Sequence, residues 1–264
     1  MVSRMPANAS DDKLTIASIA ALAYVVQDVL HEGLGHGVTA WLSGAQKLTM
    51  STVALQSDIS TRWISANGTL VNLAAALVFW LLLLKPKSYS PQLRFFFIMS
   101  LAGNLFSGTG YFLFSGVMNF GDWAQVIKGM EPHWAFRLGL VVLGAVSYYA
   151  SMLLVASELR AFIPDSGRRM RGLTWMPYFS EAALALLAGL PNPAGLFYVI
   201  ASALPSTLGA NAGFLSLPSL MRGWKRRETS AVPAIRPSPA WIAVAAVICA
   251  IFIGVIGRGI TWTR

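Results

Sequence analysis

Asp28, His31, Glu32 and His36 fall within nine positions of one apolar stretch, Val26-Gln27-Asp28-Val29-Leu30-His31-Glu32-Gly33-Leu34-Gly35-His36. Two of the chain's three histidines are among them. Each charged group at the middle of a bilayer costs about 2.5–3.5 kcal/mol on insertion scales, so such a cluster persists only if something holds the charges. A metal cation is the simplest partner for two imidazoles and a carboxylate. The plainer alternative is a hydrogen-bonded polar patch between helices, or one wall of a solvated vestibule. In the metal reading His31 and His36 are ligands through neutral imidazole nitrogens. Glu32 is then the general base, taking a proton from water and returning it to a leaving amine. Asp28, one turn before Glu32, is placed to accept from an imidazole N–H.

The spacing carries its own demand. In a His-Glu-x-x-His helix the two imidazoles lie about 40° apart on one face. Here the histidines are five residues apart, which separates them by about 140° on an ideal helix. One extra residue must be absorbed. Gly33 and Gly35 make a π-type bulge or local distortion easy, and such bulges favour functional sites. The hexapeptide from His31 to His36 resembles the His-Glu-x-x-Gly-His zinc motif of the dipeptidyl peptidase III family. That likeness covers six residues and implies nothing about the overall fold.

Composition says what must hold these residues. Hydrophobic residues make up 55% of the 264 positions and charged residues 12%, against about 25% charged in a soluble domain. Mean hydropathy is +0.59. Apolar stretches of roughly 20 residues alternate with short polar connectors, the length a bilayer requires. Lipid cannot satisfy backbone N–H and C=O groups, so these stretches must be helices. The expected fold class is all-α: a polytopic transmembrane bundle of about six or seven helices in the cell membrane. Between Gln46 and Ser60 a weak alternation of Leu48, Met50, Val53 and Leu55 fits a short membrane-associated β-hairpin or an edge strand.

Residues 1–13 read as a polar tail and residues 14–264 as one transmembrane domain. Spans are expected at about Leu14 to Leu42, Ile64 to Leu84, Phe95 to Val117, Phe136 to Val155 and Trp241 to Ile260. The stretch Tyr178 to Met221 has the length of two spans, but Pro191 and Pro193 break or kink a helix, so it reads as two short or broken ones. The first stretch is too long, and too charged, for a cleaved leader. Trp63, Trp123, Trp134 and Trp241 read as interfacial anchors, and Glu181 as interfacial at the start of a span. Gly103, Gly108 and Gly110 would let helices approach closely near Asn104. The net charge of +9 sits mostly in connectors. It fits topology and anionic lipid head groups better than nucleic acid, and no dense basic run interleaved with aromatics exists. The connectors after the second and fourth spans are basic and share a side, which the positive-inside rule makes cytoplasmic. Cys249, the lone cysteine, has no internal disulfide partner.

Three features in order resemble the site-two protease family of intramembrane zinc metalloproteases. His31-Glu32 through His36, followed by Thr39-Ala40, looks like that family's zinc helix. Gly68-Thr69-Leu70-Val71-Asn72, followed by Leu73-Ala74, resembles its Gly-x-x-x-Asn segment. Gly121-Asp122-Trp123 sits where the family supplies an aspartate ligand. The resemblance covers residues 14–125 as a protease-like core and leaves residues 134–264 as accessory spans. It implies zinc, a protein substrate, and a metal nearer the cytoplasm, whereas charge counting puts the site toward the other side. Three departures stand. The zinc helix is one residue too long, Asp122 lacks a Leu-Asp-Gly context, and in Asn192-Pro193-Ala194-Gly195 Ala194 stands where a related motif has aspartate.

A catalytic zinc takes three protein ligands plus water. Asp122 is therefore the favoured third ligand, with Glu131 and His133 of the same loop as competitors. Asn72 is open between a hydrogen bond to the substrate or oxyanion and a buried interhelical hydrogen bond. The expected activity is hydrolysis of a peptide bond in or near the bilayer, with membrane lipids and a transmembrane or membrane-proximal protein as partners. The rivals are an ion or proton transporter or channel lined by the polar cluster, and a catalytically silent scaffold that keeps the metal.

Overall fold

The computed structural model describes residues 11–85, 89–162, 167–193, 195, 199–200, 204–222, 224 and 234–264. The chain is mostly helical. The helices are α1 (Lys13–Val29), α2 (Val38–Leu42), α3 (Arg62–Leu84), α4 (Pro91–Met118), α5 (Asp122–Val126), α6 (His133–Phe162), α7 (Arg168–Gly189), α8 (Leu204–Asn211), α9 (Gly213–Leu220) and α10 (Pro239–Ile251). A π-helical segment, Leu30–Gly37, joins α1 to α2 without a break, and another, Phe252–Ile256, extends α10. Strands β1 (Lys47–Met50), β2 (Leu55–Ser57) and β3 (Ile260–Thr263) form a small antiparallel sheet in the order β2-β1-β3.

Local chemistry sets these limits. Asp12, Thr61 and Ser90 cap α1, α3 and α4 by accepting the N–H groups of Thr15, Ile64 and Leu93. Pro91 and Pro239 occupy first turns, where a missing N–H costs nothing. Asn119 ends α4 in the left-handed conformation, φ 53°.

Five helical stretches are long and apolar enough to cross a membrane: residues 13–42, 62–84, 91–118, 133–160 and 239–256. The rest of the bundle is made by less apolar elements. α7 starts beside Asp11, where Arg169 donates two hydrogen bonds to its carboxylate. It ends beside the sheet, where Thr52 Oγ1 donates to the Ala188 carbonyl. α8 and α9 lead back, and Trp224 lies under the Arg160 guanidinium. The two expected broken spans are thus one long polar-studded helix, running up to the break at Pro191, and two short ones. Ala194 and the basic residues Lys225, Arg226 and Arg227 lie outside the described residues.

The bundle consequently has two ends. One gathers the starts of α1, α4, α7 and α10. The other carries the sheet, α2 and α5. The expected hairpin is present, with Leu48 opposite Ser57 and Met50 opposite Leu55. It acquires a third strand, since β3 pairs Lys47 with Thr263 and Met50 with Ile260. Apolarity carries the last expected span to Ile260. The chain instead leaves the helix after Ile256 and turns through Gly259, whose φ is +83°. The sheet packs through Leu48 on Ala40 and Ile64, while the main core is built around Phe95, Phe106, Leu159, Met170 and Phe214.

Candidate metal centre

His31, Glu32 and His36 all lie in the π-helical segment and are all buried. In a π-helix each N–H reaches the carbonyl five residues back, so residue i+5 lies over residue i. The Val38 N–H bonds the Gly33 carbonyl in this way. The five-residue spacing therefore returns both histidines to one face. Their rings meet edge to face, with centroids 4.7 Å apart and an interplanar angle of 85°.

Asp122 is the first residue of α5. Gly121 before it has φ +84°, a conformation open to glycine. Trp123 fixes the turn by donating from Nε1 to the buried Thr69 Oγ1 on α3, 3.0 Å away, and packs on Phe112 at 4.7 Å. Expected as an interfacial anchor, it also links α5 to α3 and α4.

Three ligand atoms converge. His31 Nε2 and His36 Nε2 are 3.1 Å apart, and Asp122 Oδ2 is 3.1 Å from the first and 3.3 Å from the second. Both Nδ1 atoms are committed elsewhere. His36 Nδ1 lies 2.6 Å from the Ile64 carbonyl oxygen, which can only accept. His31 Nδ1 lies 2.6 Å from Asn72 Oδ1. The amide orientation of Asn72 follows from its Nδ2, which donates to the Gln27 carbonyl at 3.1 Å and to Asn104 Oδ1 at 2.8 Å. Both neutral rings therefore carry hydrogen on Nδ1 and turn a lone pair outward on Nε2. Two lone pairs and a carboxylate oxygen facing one another at this range call for a positive charge between them. Tetrahedral zinc with bonds of about 2.0–2.1 Å to nitrogen has ligand–ligand edges of about 3.3–3.4 Å, close to the observed ones. Partial burial pushes the Asp122 carboxyl up, but His36 and His31 outweigh it and hold the group well below the usual carboxylate range.

Gly68 gives the imidazoles their room. A Cβ there would lie 2.5 Å from His36 Nε2 and 2.7 Å from His31 Nε2. Gly35 lets the two helices touch, since its Cβ would come within 2.5 Å of the Gly68 Cα.

The structure brings His31, His36 and Asp122 together, with Glu32 beside them, and treats the other candidates differently. Asn72 is fully buried, and both ends of its amide are used by His31, Gln27 and Asn104. Of the two readings it takes the buried interhelical hydrogen bond, and it fixes the His31 ring. Asp28 was expected to accept from an imidazole. The Nδ1 atoms go to Asn72 and Ile64 instead, because the π-segment turns Asp28 toward a separate cavity lined also by Tyr24 and Ser107. His133 pairs with Asn119 Oδ1 at 3.0 Å, and Glu131 accepts the His133 N–H, so neither reaches the centre. Glu181, expected at an interface, is buried in mid-helix and accepts from Asn211 Nδ2 at 3.0 Å. Sequence reasoning misses Tyr111, whose ring lies 4.9 Å from that of His31. Its one signal is a phenol one turn after Ser107 in an apolar span.

The centre opens into a cleft of about 390 Å³ lined by Glu32, His36, Leu55, Ser57, Tyr111 and Asp122 among others. One wall is β2, an edge strand of the sheet. The Leu55 N–H donates to Glu32 Oε2 at 2.6 Å. No family model, curated protein or solved structure matches the chain.

Proposed function

We propose that this chain is a membrane-embedded zinc metalloprotease that hydrolyses a peptide bond in or near the bilayer. Lipids would surround it, and its substrate would be a transmembrane or membrane-proximal protein segment. The observation that carries this reading is the meeting of His31 Nε2, His36 Nε2 and Asp122 Oδ2 beside a cleft that also holds Glu32. Five helices of spanning length support the bilayer setting. The likeness to the site-two protease family, in His31 to His36, Gly68 to Asn72 and Asp122, agrees with it.

Zinc, when bound, supplies a Lewis acid that polarises the scissile carbonyl and makes water more acidic. His31 and His36 would hold it through Nε2, kept in that tautomer by Asn72 and Ile64, and Asp122 would complete the ligand set. Glu32 takes a proton from the attacking water as the water oxygen adds to the carbonyl carbon. It hands that proton to the amine nitrogen as the C–N bond breaks. The second water proton follows to the same nitrogen, so water is consumed and a carboxylate and an ammonium leave.

A substrate must be extended to be cut, because a helical peptide bond is shielded. The edge of β2 suits such a strand. The Asp58 N–H points to β1 and meets the Lys47 carbonyl. The Leu55 N–H points the other way, into the cleft, and the alternation of a strand gives Ser57 the same outward direction. A strand laid along that edge would pass Glu32 by β-augmentation.

The test is metal analysis beside cleavage of a single-pass protein in reconstituted vesicles. Wild type should carry stoichiometric zinc and cleave. Glu32→Gln should keep the zinc and lose about 10²–10⁴-fold in rate, and His31→Ala and His36→Ala should lose both. Wild type without zinc, or full cleavage by Glu32→Gln, would reject the reading.

A further inference from the structure

Beside His31, sharing Glu32, Val53 and Tyr111 with the cleft, lies a second and smaller cavity of about 30 Å³. It exceeds the roughly 10–15 Å³ that one water needs and has no room for an organic ligand. Its lining is almost wholly polar: Tyr24, Gln27, Asp28, Glu32, Thr52, Ser107, Tyr111 and Thr207, with Val53 the aliphatic member and His31 forming the wall toward the metal centre. Two of these are carboxylates, and none of the described lining residues is Lys or Arg. Asp28 Oδ2 and Gln27 Oε1 are sealed from solvent and have no hydrogen-bond partner among the described residues. Gln27 is 6% exposed.

Those two orphan atoms are both acceptors. Leaving a buried acceptor unpaired costs about 1–3 kcal/mol, more when it is charged. Charge points the same way. If the neighbouring centre holds a divalent metal, Asp122 and Glu32 balance it, and an ionised Asp28 has no Lys or Arg among the described lining residues to neutralise it. A water would satisfy the two acceptors but not the charge. A divalent ion would overshoot. Oxygen atoms from a carboxylate, an amide and several hydroxyls, without nitrogen or sulfur, are the donor set of hard cations.

We propose that this cavity is a binding site for a dehydrated sodium-sized monovalent cation, held by Asp28 and Gln27 with hydroxyl oxygens from the surrounding helices. The site ties α1, which carries both histidines, to α4 through Ser107 and Tyr111 and to α8 through Thr207. The choice of a monovalent ion rests on the zinc reading of the adjacent centre, whereas the site itself rests on its own oxygens.

Equilibrium binding of radioactive sodium to the purified full-length chain in lipid nanodiscs tests this, with zinc measured on the same samples. Wild type should bind one sodium per chain saturably, displaced by sodium chloride but not by choline chloride. Asp28→Asn should abolish the binding while zinc content stays at the wild-type level, which also shows that the variant folds. Ser107→Ala should weaken it. Zinc present without saturable sodium binding would overturn this proposal alone and leave a water-filled cavity, as would unchanged binding in Asp28→Asn. Sodium binding in a chain that takes no zinc would support the cation site and reject the protease reading.

Discussion

At the level of single residues, the proposed centre would depend on atoms that do not touch the metal as much as on those that do. Asp122→Ala should sharply lower zinc occupancy, whereas Glu131→Ala and His133→Ala should leave it near wild type, by metal analysis of the purified proteins. Gly68→Ala keeps every ligand yet puts a methyl 2.5 Å from His36 Nε2. Zinc affinity should fall by about 10–100-fold, the usual effect of disturbing the groups behind a ligand, as read by chelator competition. Ligands must be deprotonated to bind, so occupancy should fall as pH drops. The carboxylate of Asp122, held low by its two neighbours, should not limit it. His31, Glu32 and His36 were legible in the sequence because ionisable groups are costly in an apolar run and stay there only for what they hold. Asp122 was legible only through its order after the other two motifs. The service of Asn72 to His31 was not legible, since it depends on how α3 crosses the π-segment. No spacing within α3 encodes that.

Among the elements, the π-segment could be anticipated because a five-residue interval cannot place two ligands on one face of an α-helix. Its partner contact could not. Gly35 and Gly68 lie on different helices, and their backbones meet only once the bundle forms. Gly35→Ala should therefore destabilise by about 1–3 kcal/mol, the cost of overpacking a tight contact. A lower thermal unfolding midpoint would show it, with zinc loading falling in parallel. The hairpin was visible as an alternation, while β3 was hidden at the end of the most apolar stretch of the chain. α7 was hard to read for the opposite reason. It buries Glu181 and begins with Arg168 and Arg169, so composition understates how far inside the bundle it runs.

Across the whole molecule, the ends of the bundle differ in charge. Arg160, Arg168 and Arg169 gather at the end opposite the sheet, and Lys85 follows α3 there. With that end cytoplasmic, a cysteine replacing Ser57 in intact cells should react with an impermeant maleimide, and one replacing Lys85 should not, both in a Cys249→Ser background. The opposite pattern would put the centre on the cytoplasmic side, as the family resemblance implies. Apolar length foretold the five long apolar helices, but the pairing of residues far apart in the chain was beyond it. The Asp12 N–H meets the Ile235 carbonyl, and the Ser238 N–H meets Thr15 Oγ1. At the far end β3 lies along β1 and Arg264 stacks on Trp41 at 4.5 Å. The first and last spanning helices are thus laced together top and bottom. A partly made chain would already own His31, Glu32, His36 and Asp122. Yet the helix bearing the histidines would lack one flank, and the sheet beside it one strand, until residues 239–264 emerged. The centre would take its shape from a segment made more than a hundred residues after its last candidate ligand.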